Sequence, residues 1–251
     1  MSIFAGFTDA QVQNLPGTSI AGIATADIAA LGSDLGRLTS KQIAALTTAQ
    51  IKAVQVGNLT AGNIVGLTLQ QIAMLSDQQL TQLGLAPVGA LTSTQMPGFT
   101  PAQISKLSTA QIQALSTAAI ASLGAAQIVE LTTAQTAALK PDQVSKLTVA
   151  QIAALETQDL IALKPEGQIP ALTSSQLAAL TLDQVRALSV PQIQAITTGS
   201  IVGLTSGQIA TLSSAQAAAL LPVQVTKMSS DQIGSLTPAQ AAAMSATQMG
   251  A

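Results

Sequence analysis

The chain has 251 residues, of which 8% are charged, and it contains no cysteine, histidine, tryptophan or tyrosine. Without His and Cys, Ser-His-Asp and Cys-His nucleophile systems and thiolate or imidazole metal sites are excluded. A net charge of -2 and nine scattered Lys and Arg residues leave no electrostatic footprint for nucleic acid or anionic lipid.

The first stretch, MSIFAGFTDAQVQN, has neither a basic n-region nor a sustained apolar run, so it does not read as a signal peptide. Polar residues interrupt every apolar stretch well short of the ~18 residues needed to span a bilayer, and no membrane insertion is expected. A repeat opens with FTDAQVQN at Phe7 and continues from Leu15, Ile23, Leu31, Leu38 and Leu46. Leu31 to Arg37 is one residue short and Val54 to Asn58 is a five-residue fragment. Residues 1–58 therefore read as irregular repeats, a candidate N-terminal cap, and residues 59–251 as a regular array.

From Leu59 to Ala162 the register holds for thirteen octapeptides. Within them LGLAPVGA, residues 83–90, lacks a cap hydroxyl and places Pro87 where Gln is expected, which predicts an irregular turn. Pro97-Gly98 is a second local breaker. Leu163 to Ala171 has nine residues, with the extra one near Glu166-Gly167, and predicts a bulge that keeps the stack. Leu172 to Ala251 then runs as ten octapeptides of the form L-[ST]-x-x-Q-[IVLMA]-x-small.

This unit reads as a complete helix start. Ser or Thr at position 2 and Gln at position 5 have the spacing of a capping box, in which the hydroxyl accepts from the N3 amide and the Gln side chain reaches back to the N-cap amide. The candidate pairs are Thr173 with Gln176, Thr181 with Gln184, Ser189 with Gln192, Thr205 with Gln208, and Thr237 with Gln240. Positions 1 and 6 become N′ and N4, the two ends of a hydrophobic staple. They supply the core candidates Leu172 and Leu177, Leu180 and Val185, Leu188 and Ile193, and Leu204 and Ile209. Pro101, Pro141, Pro165, Pro222 and Pro238 fall at position 3, which is N1, where proline is favoured.

Because the next Leu-Ser/Thr pair opens a new cap, each helix has about six residues. One unbroken helix fails, since eight residues advance ~800° and the leucine row would drift ~80° per repeat. A β-solenoid is the alternative; against it, positions 1 and 6 have opposite parity and Ala and Gln favour helix. A single six-residue helix is not stable in water, so the units must stack. The predicted fold is all-α: a solenoid or superhelix of very short helices, one per eight-residue repeat. The Gln row reads equally as a set of local boxes or as a hydrogen-bonded ladder along the solenoid. No feature returns every second or third unit, so the spacing gives no number of repeats per turn.

No catalytic, cofactor-binding or metal-binding residue emerges, and neither an enzyme nor a cofactor is expected. The acidic residues, among them Asp77, Asp142, Asp159, Asp183 and Asp231, are dispersed and read as solvated first-turn residues that favour the helix dipole.

The strings KLSTAQIQALSTAAIASL and LTVAQIAALETQDLIAL resemble the tandem L-[ST]-x-x-Q-[IV]-x-A-L arrays of very large bacterial proteins labelled secreted, surface or adhesin-like. The resemblance covers nearly the whole chain and carries over no functional residue. It implies a structural or adhesive element that is extracellular or at the cell surface, with the cytoplasm left open. Ala251 completes a unit with no polar repeat after it, which reads either as a segment of a longer array or as an end that meets another molecule; with charge low, self-association through the solenoid ends is the expected partnership. A groove that binds a peptide or another protein is the second reading.

Overall fold

The computed structural model describes residues 3–251; Met1 and Ser2, the start of the stretch read as lacking a signal peptide, lie outside the described residues. The octapeptide 204–211 shows how sequence becomes structure. Leu204 (φ -62, ψ 128) and Thr205 (φ -72, ψ 158) are extended, Ser206–Thr211 is helical, and Leu212 (φ -58, ψ 142) is extended again. The extended pair turns the chain, and the six helical residues form one wall of a coil. Repetition of this alternation gives twenty-six α-helices and four 3-10 helices among the described residues, and no strand. The fold is an all-α solenoid. Among the described residues, no helix is long and apolar enough to cross a membrane.

The coil closes after a little more than three units. Ser206–Thr211 packs on Leu182–Ala187, three units earlier, and on Ser230–Gly234, three units later. Val190–Ala195, Ser214–Ala219 and Pro238–Ala243 form another such column. Positions 1 and 6 point into the coil, where Leu172, Leu177, Leu180, Val185, Leu188, Ile193, Leu204 and Ile209 are all buried. Each such side chain contributes ~1.5 to 3 kcal/mol by leaving water. That burial is available to it only when the turns above and below are present.

The described chain divides into two compact units, Met1–Glu130 and Leu131–Ala251. In the first, the short repeat at Leu31 becomes the 3-10 helix Gly32–Arg37, entered by Gly32 at φ +54, a conformation that glycine adopts without a Cβ clash. The fragment at Val54 becomes the 3-10 turn Val56–Asn58, with Val54 and Val56 buried. Pro97-Gly98 likewise lies in a 3-10 turn, Met96–Gly98.

Two expectations are corrected. Residues 83–90 do not form an irregular turn: Leu85–Ala90 is a helix capped by Gly84, with Pro87 and Val88 buried. Pro87 is the third helical residue, and its missing N–H is one of the four that no helix pairs internally. Pro165, expected at N1, begins no helix; it lies in the turn that carries the extra residue of 163–171. Pro101, Pro141, Pro222 and Pro238 do open helices.

Candidate functional site

The recurrent polar feature of the interior is the Gln at position 5. Gln208 is 2% exposed and spends every group it has. Its backbone N–H donates to Thr205 Oγ1 at 3.2 Å, and its Oε1 accepts from the Thr205 N–H at 2.7 Å. Its Nε2 donates to the carbonyl oxygens of Leu177 at 2.9 Å and Leu180 at 2.7 Å, in the preceding turn of the coil. The box caps a helix locally, and the amide nitrogen joins that helix start to a helix end one turn away, where carbonyls lack intrahelical partners.

The other pairs singled out from the sequence have the same geometry. Thr173, Thr181, Ser189 and Thr237 accept from the backbone of Gln176, Gln184, Gln192 and Gln240, whose Oε1 atoms return the bond. Their amides reach Leu147, Leu155, Leu163 and Leu212. Where position 2 has no hydroxyl, as at Gly124, Lys140 and Leu221, the Gln Oε1 still accepts from its N–H.

The spacing of these bridges explains how the irregular repeats fit. Gln208 to Leu180 spans 28 residues, three and a half octapeptides. The interval falls to 27 for Gln42 to Leu15, across the repeat that is one residue short. It falls to 25 for Gln71 to Leu46, across the five-residue fragment, and rises to 29 for Gln176 to Leu147, across the nine-residue repeat. In each of these bridges one of the carbonyls addressed belongs to the first residue of a unit; length changes are absorbed in the turns between. In the nine-residue repeat itself, Gln168 accepts from the Lys164 N–H four residues back and still donates to Thr136 and Leu139.

The second duty of the glutamine could have been found from one signal. A capping box takes Glu as readily as Gln, yet no Glu occupies position 5 anywhere in the chain. A carboxylate can accept from the N-cap amide but cannot donate to a carbonyl. Two of the substitutes at position 5, Asn63 and Ser200, follow the same rule, whereas Pro87 and Ala119 fill the slot with apolar side chains and make no bridge. Asn63 donates to Leu35 at 3.0 Å and Leu38 at 3.2 Å, and Ser200 donates to Leu172 at 2.6 Å.

Asp159 departs from it and is a further correction. Rather than sitting in solvent, it occupies position 5 of the unit 155–162 and is 1% exposed. Its Oδ1 accepts from Thr133 Oγ1 at 2.7 Å, and its Oδ2 has no hydrogen-bond partner. The hydroxyl of Thr136, in the core position usually held by an aliphatic side chain, is also unpartnered. Burial raises the Asp159 carboxyl above its ordinary value, the Thr133 hydrogen bond opposes this, and the charge of Glu156 adds to it.

At the last turn of the sequence a cavity of about 450 Å³ opens among Val225, Met228, Ile233, Leu236, Met244 and Met249. Among the described residues, no group of three or more Asp and Glu is placed to hold a metal ion.

The profile of a family described as the ALTTAQ repeat matches residues 152–190. That segment includes the boxes Thr173/Gln176 and Thr181/Gln184 together with Asp159. The chain is a tandem-repeat protein, similar over this segment to the ALTTAQ repeat. No curated protein matches it.

Proposed function

We propose that the chain is a non-catalytic repeat scaffold of a bacterial surface or extracellular structure, one that supplies length and spacing and associates end to end with further copies. The observation that carries this reading is the glutamine bridge. It consumes the interior donors and acceptors in turn-to-turn contacts, so each turn is completed by another turn rather than by a ligand. Solenoids built this way grow without a new core, because every unit contacts only its neighbours. Low charge offers little repulsion against association of such units.

Negative-stain microscopy and sedimentation over a concentration series test the association, and extracellular protease accessibility on intact cells tests the location. Particles that lengthen with concentration, in increments of one chain, are expected. Monomers of constant length at high concentration would refute end-to-end association, and full protection from external protease would refute the surface assignment.

A further inference from the structure

Within the unit Leu131–Ala251, Asp159 is the buried position-5 residue where the bridging rule is broken; in Met1–Glu130 the slot is also filled by Pro87 and Ala119, apolar residues that leave no polar atom unpaired. Its slot is filled by Gln176, Gln184, Gln192, Gln208, Gln216 and Gln224 in the same unit, and every one of them donates to a carbonyl 28 or 29 residues earlier. Counting back 28 residues from Asp159 gives Leu131, the first residue of a repeat. As a carboxylate, Asp159 brings acceptors toward an acceptor. Its Oδ1 is occupied by Thr133, while Oδ2 is buried with nothing to bond. A carboxylic acid would change that, because it has one O–H to donate.

We propose that the joint made by Asp159 is an acid-tightened one: protonation of Oδ2 supplies the missing donor, and the turn Leu155–Ala162 then binds the turn beneath it as the glutamine-bearing turns do. With the carboxyl ionised the joint is the loose point of the unit Leu131–Ala251; once Oδ2 is protonated it closes.

The surroundings leave this carboxyl to titrate by itself. The helix Thr133–Ala138 packed beneath it has no ionisable side chain. On Leu182–Ala187, packed above it, Asp183 and Arg186 pair with each other at 3.1 Å and are exposed. Glu156, at the cap of its own helix, adds repulsion, and burial is the larger influence in the same direction. A carboxyl raised in the folded state makes the native form bind more protons than the unfolded one. Stability therefore increases as pH falls through the folded value toward the unfolded carboxylate value near 3.8, and the gain is absent above the folded value.

The experiment uses the full chain. Hydrogen-exchange protection factors for the amides of 133–138 and 157–161 are compared in steps from pH 7 down to about pH 4, near the unfolded carboxylate value, in the wild type, Asp159→Asn and Asp159→Gln. The carboxyl carbon shift of Asp159 is followed across the same range. Asn63 shows that an asparagine fits the slot and donates from it. Wild-type protection should rise as the pH falls through the folded value of the carboxyl, by up to roughly tenfold for each unit by which that value exceeds the working pH. Both variants should be better protected than wild type at pH 7 and should not change across the range. Thr133→Ala should move the carboxyl titration further upward. The same pH response in wild type and both variants would overturn the proposal. So would a variant that folds but is less protected at pH 7, or an Asp159 carboxyl that titrates in the ordinary range.

Discussion

At the scale of the residue, a capping box accounts for half of what the position-5 glutamine does. The Thr205 and Gln208 pair separates the halves. Thr205→Ala removes a local cap and should cost ~0.5 to 2 kcal/mol. Gln208→Ala removes the return bond to the Thr205 amide and the bonds to the Leu177 and Leu180 carbonyls, leaving Leu180 without its donor while Leu177 keeps the Leu180 N–H. At ~1 kcal/mol net per bond, plus desolvation of the orphaned groups, it should cost ~2 to 4 kcal/mol. Urea denaturation monitored by circular dichroism compares the two; equal costs would mean that the bridge contributes nothing beyond the cap. Gln208→Glu keeps the cap and loses the bridge, so it should be destabilised at pH 7 and recover part of the loss near pH 5. The local half of this chemistry was legible because Thr and Gln lie three residues apart. The other half was not, because the carbonyl partner lies 28 residues away and a local pattern has no means of naming it. The absence of Glu at position 5 was the trace it left. Asp159 was misread for the same reason: an Asp in a first turn resembles a solvated residue until the register shows that its slot is interior.

At the scale of the element, the helices are short because each is stopped by the next cap, and their packing distance is set by what stands at position 8. Gly66 and Gly203 lie at that position against Ser40 and Ser174, three units earlier, and a Cβ on either would overlap the carbonyl oxygen there. Gly203→Ala should therefore cost ~1 to 3 kcal/mol through forced displacement of the backbone. Gly234→Ala is the control. Gly234 ends the helix Ser230–Gly234 with open space around its Cβ, so alanine there should be neutral or stabilising by up to ~1 kcal/mol. Thermal melts of the two variants check the contrast, and similar losses in both would contradict the close approach at Gly203. Helix starts were readable in the sequence to within a residue through the Ser/Thr-x-x-Gln spacing. The helix at Leu85–Ala90 was not, since proline at the third helical position looks like a breaker although it removes an amide that would have gone unpaired anyway.

At the scale of the whole molecule, the all-α solenoid was legible because an eight-residue period suits neither one continuous helix nor an alternating strand. The number of units per turn was hidden, since near-equivalent repeats carry no super-period; it became visible from the constant address of the glutamine bridges. Intervals of 25, 27, 28 and 29 residues all lead to the first residue of a unit, so the address belongs to the unit and not to the residue count. Deleting one whole repeat, Thr181–Leu188, should then leave the helical circular dichroism per residue unchanged and lower the melting temperature only slightly. Deleting Thr181–Gln184 should unfold the neighbouring turns, because it removes a cap and a bridge while leaving the leucine that needs covering. Comparable spectra from both deletions would argue that the stack is not organised by units.

The central claim is that the position-5 glutamine amide ties each turn to the one before it. Its most direct test is NMR of the side-chain amide of Gln208 in the full chain. The account predicts hydrogen exchange slowed far below that of an exposed Gln, with nuclear Overhauser contacts from the Nε2 protons to residues 177–180. An amide that exchanges freely with solvent and shows contacts only within 204–212 would contradict it.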